Sequence, residues 1–228
     1  MGLKMLHLIK KKPILVTVHG FGSRLHSEMD PLATYLKKKH YDVRQFDIYD
    51  LTNPNDANPE EWMHRCEERL KEALKQSDNV VLLGFSMGGV IASYLASVYP
   101  VKKLILVAPA FRYFDFTLIK TKTTEMISKA PKEKKLKPSA AQTKCFVDIV
   151  DSYRSSIAHV DCPILMIHGT ADEVIDFDSS KEAYKKIHHN HKRLIFLEGA
   201  HHRLLYDNQM QETAFVLIEE MLKDNLMK

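Results

Sequence analysis

Short runs of consecutive apolar residues alternate, along nearly the whole chain, with longer stretches in which apolar residues recur every third or fourth position. The runs at 14–18, 79–83, 103–107, 163–167 and 193–197 are apolar at most positions, as strands buried on both faces of a parallel sheet are. Residues 6–9 and 41–48 read as two further strands. Between them, 27–39 sets Met29, Leu32, Ala33 and Leu36 on one helical face. The stretch 59–76 does the same with Trp62, Cys66, Leu70, Ala73 and Leu74, and Pro59 suits a first helical turn. Residues 90–99 follow with Val90, Ile91, Tyr94, Leu95 and Val98. Two more helices, at 177–187 and 209–226, fall where right-handed crossovers need them. The pattern predicts an α/β fold: six or seven strands, mostly parallel, with helices on both faces.

One interval breaks the alternation. About fifty residues separate the strand ending at 107 from the one starting at 163, which predicts a small helical cap inserted at about 109–160. Phe111, Tyr113, Phe114 and Phe116 open it. They either line an apolar substrate pocket or pack the cap onto the sheet. From 120 to 144 the segment holds eight lysines against Glu125 and Glu133, although the whole chain carries only +4. That is either a solvated face or a surface that steers anionic substrates or touches an acidic membrane.

Composition fits one soluble domain. The 228 residues are 45% hydrophobic and 27% charged, and no Gly-, Ser- or Pro-rich linker divides them. No apolar run approaches membrane-spanning length, and residues 1–5 show neither a signal-peptide core nor a cleavage site. Leu6 stands where a myristoylation signal has Ser or Thr. Cys66, Cys145 and Cys162 are odd in number and lack metal or redox spacing, so a cytoplasmic location is expected. No phosphate loop, nucleic-acid motif or cofactor fingerprint is present, so neither a cofactor nor a nucleic-acid partner is expected.

The chemistry concentrates at the ends of the predicted strands. Gly84-Phe85-Ser86-Met87-Gly88 has the Gly-x-Ser-x-Gly spacing and stands between a strand and a helix. Such a turn strains the serine backbone and projects its hydroxyl, exposed, at the helix N-terminus. A hydroxyl needs a base to become a nucleophile. Asp172 follows the strand at 163–167 and is the candidate acid; His201 or His202, past the strand at 193–197, is the candidate base. The order Ser, Asp, His along the chain differs from the chymotrypsin and subtilisin orders.

With these residues the chain resembles the α/β-hydrolase superfamily over almost its whole length. His19-Gly20-Phe21-Gly22, after the strand at 14–18, is similar to that family's oxyanion loop. The block Asp172-Glu173-Val174-Ile175, the Pro100-Val101 step and the 198–207 stretch most resemble small bacterial carboxylesterases, and monoacylglycerol lipases and feruloyl esterases share much of the pattern. In those relatives the catalytic histidine ends a Glu-x-x-x-His block, which selects His202. The resemblance implies a serine hydrolase acting on small-molecule esters, with Ser86, Asp172 and His202 as triad and the amides of Phe21 and Met87 as oxyanion hole. Phe111, Phe114 and Phe116 would line the acyl site. A serine at the elbow argues against dehalogenase or epoxide hydrolase chemistry. Thioester or amide cleavage is the alternative, with a purely binding protein of the same fold behind it.

Other residues rank lower. His188, His189 and His191 are close in sequence, but their spacing lacks a metal-site arrangement. His19 and His168 each precede a glycine at a strand end and are expected to make structural hydrogen bonds. Asp176 and Asp178 are weaker candidates than Asp172, and Trp62 reads as core.

Overall fold

A computed structural model describes residues 11–112 and 136–227. Six strands, β1 (Ile14–Val18), β2 (Asp42–Arg44), β3 (Val80–Phe85), β4 (Lys103–Val107), β5 (Ile164–Gly169) and β6 (Lys192–Leu197), form one sheet in the order β2-β1-β3-β4-β5-β6. Every neighbouring pair is parallel. Between them run α1 (Asp30–Lys38), α2 (Pro59–Leu74), α3 (Met87–Val98), α4 (Ala140–Tyr153) and α5 (Asp178–Lys186), with α6 (Gln211–Leu222) last.

Strand periodicity sorts the core into two layers. Ile14, Val16, Val18, Leu82, Leu104, Leu106 and Met166 meet residues of α2, α3 and α4 on one face. Leu15, Val81, Leu83, Ile105, Val107, Leu165 and Ile167 meet α1 and α6 on the other. Both faces of the central strands are thus covered, which is why these strands are uniformly apolar. The strand order reverses between β1 and β3, where connections leave in opposite directions and open a crevice at the strands' C-terminal ends. The His19–Gly22 loop and Ser86 both stand there.

Local chemistry sets the boundaries. Asn58 caps α2, its Oδ1 accepting from the amides of Glu60 at 2.8 Å and Glu61 at 3.2 Å. At the start of the predicted 27–39 helix, Leu25–Met29 forms a 3-10 turn, and α1 begins at Asp30 with Pro31 in its first turn. The predicted strand at 41–48 pairs only over Asp42–Arg44. Beyond it the chain leaves the sheet, and Ile48 and Tyr49 turn into the core, at 0% and 1% exposure.

Inside the expected cap insertion, residues 140–153 form α4. Ser139 and Gln142 make a capping box at its start. Gln142 Nε2 also donates to the Asp50 and Asn53 carbonyls, at 2.9 and 3.2 Å. Its Cys145, Phe146, Ile149 and Val150 pack in the same layer as α3, so α4 is the helix of the β4-to-β5 crossover. Phe111 is also buried in this layer. Tyr113, Phe114, Phe116, the lysines from 120 to 135 and the strand expected at 6–9 lie outside the described residues.

Candidate active site

The elbow is built by close approach. A Cβ on Gly84 would strike the Gly88 carbonyl, and one on Gly88 would strike the Val18 carbonyl, so neither position admits a side chain. Between them Ser86 takes φ 52°, ψ −119°, a strained backbone costing on the order of 1–3 kcal/mol. Three hydrogen bonds hold it there: Ser86 N to Val107 O at 3.0 Å, Gly89 N to Ser86 O at 2.9 Å, and Ala110 N to Ser86 O at 3.1 Å. Ser86 is 8% exposed, less open than its motif implies. The His19–Gly22 loop crowds it, since a Cβ on Gly20 would lie 3.0 Å from Ser86 Cβ.

Asp172 follows β5 and is enclosed. Its Oδ1 accepts from the amides of Val174 and Ile175, both at 2.8 Å. Its Oδ2 accepts from His202 Nδ1 at 2.8 Å and from His168 Nε2 at 2.9 Å. Burial by itself would raise the carboxyl's pKa. The bonds from His168, His202 and the Ile175 amide outweigh it and hold the group well below the usual carboxylate range.

His202 reaches Asp172 from the loop after β6, and its ring packs on Phe85, the neighbour of Ser86, with centroids 5.1 Å apart. Its amide donates to Glu173 Oε2 at 3.2 Å. His201 points elsewhere: its Nδ1 lies 3.2 Å from Glu173 Oε2, and its side chain is 64% exposed. Asp176 and Asp178 serve the start of α5, where Asp176 Oδ1 accepts from the Asp178 amide and Asp178 pairs with Lys181.

On the opposite side of the crevice, His19 and Tyr49 shape the loop carrying Phe21. His19 donates Nδ1–H to Gly20 O at 2.7 Å and accepts at Nε2 from the Ile48 amide at 3.0 Å, an arrangement only the neutral ring permits. Burial lowers its pKa from 6.5 to about 4. The Tyr49 hydroxyl accepts from Gly22 N at 2.8 Å and donates to Gly22 O at 2.7 Å. Tyr49 itself stacks on buried Trp62, centroids 4.3 Å apart, so Trp62 is core. The Phe21 ring stacks on Phe146 of α4 at 4.9 Å. Met87 opens α3, which places its amide at a helix N-terminus.

His168 makes the structural hydrogen bonds expected of it, to Asp172 and Ser180, whereas the contact of Tyr49 with Gly22 has no counterpart in the sequence pattern. His168-Gly169 at a strand end is a usable signal; Tyr49 carries none, standing 27 residues from Gly22. Of the remaining candidates, His188 bonds the Ala158 carbonyl at 2.9 Å and approaches Asp161 at 3.2 Å. Cys66 and Cys145 are buried, and burial pushes the Cys145 thiol up to about 12. Among the described residues no helix is long and apolar enough to cross a membrane.

The geometry has counterparts. A family model described as alpha/beta hydrolase fold matches residues 13–149, more than half of the chain, and the chain belongs to that family. A second model, Serine aminopeptidase, S33, matches residues 121–209. Alpha/beta hydrolase domain-containing protein 17C is 31% identical over 127 residues in both Xenopus tropicalis and Homo sapiens; the match covers 55% of this chain and 33% and 31% of theirs. The chain thus spans about a third of the length of these curated relatives. Among solved structures, a monoacylglycerol lipase from Paleococcus ferrophilus superposes with a TM-score of 0.74 at 17% identity, covering 94% of this chain and 96% of that one. A soluble variant of monoglyceride lipase from Saccharomyces cerevisiae gives 0.80 at 15%, covering 96% and 88%. An esterase from Exiguobacterium antarcticum gives 0.70 at 20%, covering 92% of each. At these identities the likeness is one of fold.

Proposed function

We propose that the chain is a serine esterase that cleaves short to medium acyl esters or monoacylglycerol-like substrates through an acyl-enzyme. The observation carrying this reading is the 2.8 Å bond between His202 Nδ1 and Asp172 Oδ2, made by a ring that packs on Phe85, the neighbour of a serine held at φ 52°. In this reading His202 Nε2 takes the Ser86 proton as the hydroxyl attacks the ester carbonyl, and Asp172 fixes the tautomer and stabilises the charged ring. The Phe21 and Met87 amides receive the oxyanion, the second aided by the α3 N-terminus. His202 then protonates the departing alcohol. Water, activated by the same ring, attacks the acyl carbon and frees Ser86.

The lipase and esterase neighbours are consistent with ester chemistry. The match of residues 121–209 to a serine aminopeptidase model favours amide cleavage as a second reading. A panel of nitrophenyl acyl esters of graded length, acyl thioesters and aminoacyl anilides separates the readings. The esterase reading expects the highest kcat/KM on esters. Faster cleavage of anilides would replace it with the peptidase reading, and no turnover of any with no covalent labelling by a fluorophosphonate would leave a binding protein.

A further inference from the structure

Asp172 serves two histidines through one oxygen. His168 is fully buried at the end of β5, and its Nε2 donates to Asp172 Oδ2 at 2.9 Å, beside the 2.8 Å bond from His202. A carboxylate oxygen only accepts, so Nε2 carries the proton. Nδ1 of His168 lies 2.7 Å from Ser180 Oγ on α5, itself fully buried, and a neutral ring accepts the hydroxyl proton there. The Ile175 carbonyl, 3.2 Å from Nε2, accepts a weaker share. The chain Ser180, His168, Asp172, His202 therefore runs from the flank of the sheet to the crevice without a gap.

We propose that His168 is a positioning residue that sets the basicity of His202 through Asp172. The proposal rests on the esterase reading for its kinetic consequence but not for its structural one. Two donors share the negative charge of Oδ2, so each receives less of it than a sole partner would. With His168 donating, His202 is aligned by Asp172 yet holds its added proton less tightly, and so releases it more readily to a leaving alcohol. Other charged or titratable groups at this end of the sheet are engaged separately. Glu173 holds the His201 ring and the His202 amide, Asp207 accepts from the His201 amide at 3.5 Å, Asp176 accepts from the Asp178 amide, and Asp178 pairs with Lys181. None of these bonds reaches Asp172.

The test uses the full chain and the variants His168→Leu, His168→Gln and Ser180→Ala. Proton NMR of the wild type should show two low-field N–H resonances from rings bonded to a carboxylate, one lost in His202→Gln and the other in His168→Leu. In His168→Leu the survivor should move further downfield, and the acid limb of kcat/KM for a nitrophenyl ester should move up by about one pH unit, a roughly tenfold change in proton affinity. His168→Gln, which restores an N–H donor, should return the limb toward wild type. A His168→Leu protein that folds, keeps the wild-type limb and leaves the His202 resonance unmoved would overturn the proposal. Should His168→Leu fail to fold, Ser180→Ala is read the same way, with a smaller shift in the same direction expected and an unmoved profile overturning it. Absence of wild-type turnover would count against the esterase reading alone, because the two resonances need no substrate.

Discussion

His202 lies 2.8 Å from Asp172 through its Nδ1, whereas its neighbour His201 meets Glu173 at 3.2 Å and stays largely in solvent. Adjacent residues on one turn thus face different carboxylates. The His202 ring also packs on Phe85, next to Ser86.

That division predicts an unequal pair of variants. His202→Ala should lower kcat by at least about a hundredfold, the usual scale for a lost general base. His201→Ala should change it only a few-fold, through the altered Glu173 contact. Initial rates on a nitrophenyl ester decide it, and the reverse ranking would move the base to His201.

Tyr49 should matter more than its distance from the chemistry suggests. Tyr49→Phe strips both partners from Gly22 while keeping the ring on Trp62. Stability should fall by about 1–2 kcal/mol in a urea titration. If the Phe21 amide receives the oxyanion, kcat should fall while KM changes little, because the loosened loop serves the transition state.

His19 predicts how stability depends on pH. Its folded pKa, about 4, lies below the 6.5 of the free side chain, so the unfolded chain binds the proton first. This contribution is complete above pH 6.5 and is lost as the pH falls through about 4, amounting to about 3 kcal/mol for a fully buried ring. Denaturant titrations across that window should show the decline in the wild type and a flatter dependence in His19→Gln.

Phe111 is 7% exposed and packed among core residues. Phe111→Ala should lower the melting temperature, at a cost of about 3–5 kcal/mol, and reduce turnover of all acyl lengths alike. A selective loss of one chain length would instead put this ring at the acyl site.

What could be read in advance divides along physical lines. Strands β1, β3, β4 and β5 were legible because both faces are covered, which leaves unbroken apolar runs. The elbow was legible because Gly84 and Gly88 leave no room for a Cβ. The apolar pattern at 41–48 runs past strand β2 because Ile48 and Tyr49 are apolar for the core beyond the sheet, and a one-dimensional pattern does not distinguish the two burials. The low exposure of Ser86 is not legible from its motif, since the crowding loop comes from residues more than sixty positions earlier. The choice of His202 over His201 came from resemblance, not from spacing. The shared oxygen of Asp172 was not legible, for it depends on Ser180 fixing a ring twelve residues away.

Covalent labelling tests the proposed role of Ser86 as nucleophile most directly. Incubation with a fluorophosphonate followed by intact-protein and peptide mass spectrometry should show one adduct, on the peptide containing Ser86. It should be absent in a folded Ser86→Ala variant whose ester turnover has fallen by orders of magnitude. Labelling of Ser86→Ala at the wild-type rate, or ester hydrolysis undiminished by that substitution, would contradict the account.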